Sequence, residues 1–173
     1  MTTYTPQKQD GNNRSPGENR LIVYFSATGT TETVAKTLAA VTSGALCKIT
    51  PTVSYTAADL DWNDRQSRSS VEMRTPDARP SIKETHVNID DYDTLFIGYP
   101  IWWDLAPRVI NTFIESHTLT GKAIIPFATS GGSGIGNSVA QLKKAYPKLR
   151  WKSGRLLNHA DKTTLREWAE TVM

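Results

Sequence analysis

Apolar positions in this chain gather in short continuous runs, and each run is followed by a stretch where they recur at helical spacing. Residues 21–25 (Leu-Ile-Val-Tyr-Phe) form the first run, with no polar alternation, as a strand covered on both faces requires. Val34, Leu38 and Val41 then repeat with a helical period, with Ala35 and Ala39 beside them. Residues 45–49 make a second strand, and residues 94–98 a third, entered from the polar Asp90-Asp91-Tyr92-Asp93. Pro107 stands where a helix can begin, and Val109, Ile110, Phe113 and Ile114 supply its apolar side. Residues 122–127 are the fourth strand; Val139, Leu142 and Tyr146 mark a helix that Pro147 ends. Residues 151–157 read as a weaker fifth strand, and Asp161 as the N-cap of a last helix carrying Leu165, Trp168, Ala169 and Val172 on one face.

Strand and helix thus alternate, which predicts an α/β domain with a parallel sheet and helices on both faces. One stretch, residues 50–88, is too long for a simple connection. Residues 59–73 read as helical within it and the rest as an excursion over the surface. Residues 1–19 offer almost nothing to bury, and Gly11-Asn12-Asn13 with Ser15-Pro16-Gly17 read as a flexible polar tail. The expected organisation is that tail followed by one domain over residues 20–173.

Composition narrows the class. Hydrophobic content of 38% and charged content of 21% are those of a globular protein, and no apolar stretch reaches the roughly 20 residues of a bilayer span. Met1-Thr2-Thr3-Tyr4-Thr5-Pro6 carries no targeting pattern, so a cytoplasmic protein without membrane partners is expected. Cys47, the single cysteine, excludes an internal disulfide and reads as buried packing. His86, His117 and His159 lack metal-ligand spacing, and no metal is expected. The net charge of +3 is uneven: residues 143–173 hold eight bases against three acids, while residues 59–91 hold eight acids against five bases. Without a nucleic-acid motif or aromatic interleaving, the basic end reads as a solvated face rather than a nucleic-acid surface.

In an open parallel sheet, ligands bind outside the C-terminal strand ends, so chemistry is sought in the loops after strands one, three and four. The first loop is Ser26-Ala27-Thr28-Gly29-Thr30-Thr31. Its hydroxyls, backbone N–H groups and following helix suit a phosphate held by neutral donors, since it contains no Lys or Arg. A turn merely capped by Ser and Thr would read the same from this hexamer alone. The second loop is Tyr99-Pro100-Ile101-Trp102-Trp103-Asp104. Two adjacent tryptophans outside any apolar period suit a flat aromatic ligand, although one could instead pack beneath the next helix. The third, Thr129-Ser130-Gly131-Gly132-Ser133-Gly134-Ile135-Gly136, holds four glycines that let backbone N–H groups approach a ligand closely.

Phosphate cup, aromatic plate and backbone rim together suit flavin mononucleotide (FMN). On these motifs the chain resembles the flavodoxin family over residues 20–173, above all bacterial members carrying Gly-Tyr-Pro-Ile-Trp-Trp (residues 98–103) and Thr-Ser-Gly-Gly-Ser-Gly (residues 129–134). The resemblance implies a three-layer sandwich around a five-stranded parallel sheet of order 2-1-3-4-5. It also implies a non-covalently bound FMN. Ser26, Ala27, Thr28, Gly29, Thr30 and Thr31 would hold the phosphate, with Pro100, Ile101, Trp102 and Trp103 beside the sugar chain and ring. Thr129, Ser130, Gly131, Gly132, Ser133 and Gly134 would meet the ring edge, with Gly131 and Gly132 foremost.

Competing motifs are absent: there is no P-loop, no Gly-x-Gly-x-x-Gly, and Ser133 lacks the last glycine of a nucleophile elbow. An electron carrier serving redox partner proteins or a small-molecule acceptor is expected. An NAD(P)H-dependent quinone-type oxidoreductase is the alternative, with the 50–88 excursion covering the flavin. A flavin-free interaction module of the same fold is a third reading. Asp104 is the only acid in the ring loops, so a less negative second reduction potential than that of acidic carriers is expected.

Overall fold

The computed structural model describes residues 19–158 and 161–173; the tail expected over residues 1–19 lies, but for Asn19, outside them. The first strand, β1 (Arg20–Tyr24), leads through a short loop into helix α1 (Thr30–Thr42) and returns as β2 (Ala45–Lys48). A short helix α2 (Arg68–Arg74) follows inside the excursion. Then come β3 (Thr94–Pro100), α3 (Arg108–Ser116), β4 (Ala123–Thr129) and α4 (Gly136–Ala145). Two short strands, β5 (Arg150–Trp151) and β6 (Arg155–Leu156), precede α5 (Lys162–Val172), whose expected cap Asp161 accepts from the Thr164 N–H. All pairings among these strands are parallel, in the order β2-β1-β3-β4-β5, with β6 also on β4.

Strand periodicity explains the layers. In β1, Leu21 and Val23 face one core with Val109, Ile110 and Phe113 of α3 and Leu142 of α4. Ile22 and Tyr24 face the other, with Val34, Ala35 and Leu38 of α1 and Leu165 and Trp168 of α5. Successive side chains point to opposite faces, so a wholly apolar strand needs helices on both. Gly98 of β3 pairs with Phe127 of β4, and a Cβ there would lie 2.1 Å from the Phe127 ring. The glycine makes room for that ring in the core.

The fifth strand departs from expectation by breaking in two. The carbonyls of Ile124 and Ala128 accept from Lys152 and Leu157, so even-numbered residues of β4 turn their polar groups toward this edge. Pro126 is one of them and has no N–H to give, which interrupts the ladder. Trp151 pairs with Ile124 and Arg155 with Phe127, so the edge strand carries one extra residue across the gap. Gly154 passes through it, where a Cβ would lie 2.8 Å from the Pro126 ring.

Within the excursion, the helix expected over residues 59–73 covers only Arg68–Arg74. The Asp59 carboxylate accepts from the Thr56 N–H, Asp61 from Asn63 and Asp64 from Gln66, so these side chains hold the backbone in turns. Ser67 then caps α2. The two ends of the excursion meet: Thr52 N–H donates to the Ser81 carbonyl and Lys83 N–H to that of Thr50, both at 2.8 Å. Cys47 is buried, and burial pushes its thiol up to about 11. Among the described residues, no helix is long and apolar enough to cross a membrane.

Candidate functional site

The first loop is shaped by its own serine. Ser26 Oγ accepts from the N–H groups of Gly29 (3.1 Å) and Glu32 (3.2 Å), folding the chain over the start of α1. Gly29 takes φ 96°, a left-handed backbone that glycine adopts without penalty. The amides of Ala27, Thr28, Thr30 and Thr31 have no acceptor among the described residues. They stand at the positive end of α1. Glu32 in its first turn is held below the usual carboxylate range, chiefly by the Tyr24 hydroxyl at 2.8 Å; Lys48 at 3.4 Å adds to the effect. The Tyr24 phenol is pushed up by burial and by Glu32.

Two contacts lock the loops together. Thr31 and Thr129, both buried, share a hydroxyl–hydroxyl bond of 2.8 Å between the first and third loops. The Ile101 N–H donates to the Thr129 carbonyl at 2.9 Å, joining the second to the third. The third loop is fixed by a residue outside the three strand-end motifs. Asn158 Oδ1 accepts from the Ser130 N–H at 2.6 Å, and its Nδ2 donates to the Ser130 carbonyl at 2.7 Å. Asn158 follows β6 on the same edge of the sheet, so the strand-end rule that singled out the other loops points to it too.

These contacts enclose a cleft of about 280 Å³. Ala27, Thr28, Thr30 and Thr31 line it from the first loop, Pro100, Ile101 and Trp102 from the second, and Thr129, Ser130 and Gly131 from the third, with Asn158. An adjoining hollow of about 650 Å³ shares Thr28, Thr30 and Asn158 and adds Gly29. Trp102 is half-buried, with its ring 5.6 Å from that of Phe25 and 5.3 Å from that of Tyr55, both nearly edge-on. Tyr55 comes from the excursion, where its hydroxyl donates to Glu72 at 2.5 Å and the Arg68 guanidinium lies 3.8 Å from its ring centroid. Burial raises the Tyr55 phenol well above its ordinary range.

Other expected residues stand elsewhere. Ser26 acts within its own loop, and the Thr31 hydroxyl is engaged with Thr129. The Gly132 and Ser133 amides donate to Ser130 Oγ at 3.1 and 2.7 Å; neither residue lines the cleft, nor does Gly134. Trp103 turns to a different cavity, beyond the tight turn in which Trp102 and Leu105 exchange backbone hydrogen bonds. No residue of the excursion lines the cleft; the excursion meets Trp102 through Tyr55 instead.

Comparison with known proteins gives this arrangement a lineage. The family model for flavodoxin matches residues 19–172. A candidate flavoprotein from Bacteroides eggerthii is 59% identical, with a TM-score of 0.87 over 89% of this chain and 97% of that one. Another, from Bacteroides uniformis, is 51% identical, with a TM-score of 0.85 over 88% of this chain and 97% of its own. A flavoprotein from Lactobacillus acidophilus, solved in complex with FMN, shares the fold at 19% identity, with a TM-score of 0.70 over 87% of this chain and 98% of its own. No curated protein matches. A family match across nearly all the described residues has one meaning: this chain belongs to the flavodoxin family.

Proposed function

We propose that this protein binds FMN in the cleft between the three loops and serves as an electron carrier. The observation that carries the reading is the first loop: four amides without an acceptor among the described residues, at a helix N-terminus, beside a half-buried tryptophan. The donor set fits the group. The phosphate would meet the amides of Ala27, Thr28, Thr30 and Thr31 and the hydroxyls of Thr28 and Thr30. Among the described residues, no carboxylate lines the cleft to oppose it. Pro100, Ile101 and Trp102 form an apolar wall that would keep water from the ring, and Asn158 holds the Ser130 peptide so that Gly131 keeps its place at the rim. The Lactobacillus relative's FMN complex, on the same fold, supports the choice of flavin.

Bound FMN supplies reversible uptake and return of electrons, and the protein's share is to hold it and tune its potential. The absence of acidic residues from the cleft supports the expected, less negative potential. A cleft left uncovered by the excursion supports a carrier over an enclosed enzyme.

The test is a titration of flavin-free protein with FMN followed by absorbance, then addition of NADH or NADPH with a quinone. Saturable binding, with the flavin inert to nicotinamide, is expected. Many turnovers would replace the carrier by a reductase, and no binding would overturn the reading. Asn158→Ala should weaken FMN about tenfold, roughly the worth of one net hydrogen bond in a fixed loop.

A further inference from the structure

A second cavity, of about 590 Å³, lies across the Trp102–Leu105 turn from the FMN cleft. It is bounded by that turn, α3, α4 and residues 76–79 of the excursion. Two of its lining side chains are more than nine-tenths buried and incompletely partnered. Arg108 is 9% exposed; its Nε and Nη2 donate to the Glu72 and Met73 carbonyls at 3.3 and 2.9 Å. Among the described residues its Nη1 has no acceptor, and the guanidinium forms no ion pair. Asn111 is 8% exposed; its Nδ2 donates to the Tyr146 hydroxyl at 3.1 Å, while its Oδ1 has no donor. Arg79 also lines the cavity, but Glu115 engages it at 2.6 Å.

The free Arg108 Nη1 and Asn111 Oδ1 are not sealed from solvent, so both can be reached from the cavity, and an anion delivered to the guanidinium forms a strong charge-assisted bond. The remaining wall includes Trp103, 47% exposed and held at φ 47°. A bulky side chain in that region is strained, and such strain gathers at ligand sites. Asp104, the only carboxylate in the lining among the described residues, is exposed and limits the negative charge a ligand can carry.

We infer that this cavity is a second binding site, for a small planar aromatic monoanion bearing a hydrogen-bond donor, such as a hydroxylated aromatic carboxylate. The carboxylate meets Arg108, the donor meets Asn111 Oδ1, and the ring lies against Trp103. The site uses no residue of the FMN cleft.

The test is titration of the FMN-loaded full chain with 6-hydroxy-2-naphthoate, followed by saturation-transfer NMR and tryptophan fluorescence. One saturable site is expected, with neutral 2-naphthol at least tenfold weaker. Arg108 also anchors α2, so its replacement risks the fold, and two other variants carry the test. Asn111→Leu and Trp103→Asn should each weaken the naphthoate at least fivefold, with Asn111→Leu leaving FMN affinity unchanged. Absence of saturable binding, equal binding of 2-naphthol, or indifference to both variants would overturn the inference. So would displacement of FMN by the naphthoate, which would place it in the cleft. Repeating the titration without FMN separates the two readings, because failure of the protein to bind FMN leaves this result intact.

Discussion

The chain enters the left-handed backbone region on both sides of Trp102, with opposite choices of residue. In the first loop the position at φ 96° is Gly29, and nothing stands within 4 Å of where its Cβ would be. In the turn after Trp102 the positions are Trp103 at φ 47° and Asp104 at φ 64°. Two-residue turns of this shape favour asparagine and glycine at their tips. The first loop is therefore relaxed and prearranged by Ser26, whereas the turn holds strain of about 1–3 kcal/mol per residue. Strain kept at an exposed indole marks a place where side-chain identity outweighs stability.

Four substitutions test that contrast, beginning with the largest effect. Trp102→Ala removes a ring packed on Phe25 and Tyr55 and should cost about 3 kcal/mol in urea unfolding, besides weakening FMN at least tenfold. A variant with unaltered FMN affinity would dissociate this tryptophan from the cleft. Gly29→Ala should cost about 1–2 kcal/mol, although the space is open, because the penalty lies in the backbone. If it proves neutral, the relaxed-loop half of the contrast fails. Trp103→Asn should instead raise stability by about 1 kcal/mol, since asparagine tolerates this region; a loss measured by thermal unfolding would show that the indole supports the fold.

The smallest effect belongs to Glu32→Gln, worth a few tenths of a kcal/mol near neutral pH because the pair with Lys48 is partly exposed. Glu32 titrates lower in the folded chain than in the unfolded one. Its contribution is therefore present above the ordinary carboxylate range and disappears as pH falls through the folded value. Urea midpoints of the two proteins should converge in acid.

The sheet was legible because burial on both faces leaves no choice of side chain along residues 21–25 or 94–98. The three loops followed from where those strands end. What escaped depends on side chains competing for backbone groups. Asp59, Asp61 and Asp64 lie in the stretch expected to be helical, yet they bond their own chain and leave only Arg68–Arg74 helical. The two tryptophans could not be told apart by sequence, because the reversal at residues 103 and 104 sends neighbours to different cavities. Asn158 is one polar residue after a weak strand, and its role exists only once Ser130 lies beside it.

Pro126 carries a consequence for the molecule's behaviour at high concentration. An outer strand with an unbroken row of free amides and carbonyls invites a neighbouring molecule to continue the sheet. Here that row is cut into two pieces of two residues each, with a bulge between them and Arg150, Lys152 and Arg155 exposed along it. An incoming chain would find neither a continuous register nor a neutral rim. The proline that weakens the domain's last pairing thus guards this edge of the sheet, the one opposite β2, against continuation by another chain.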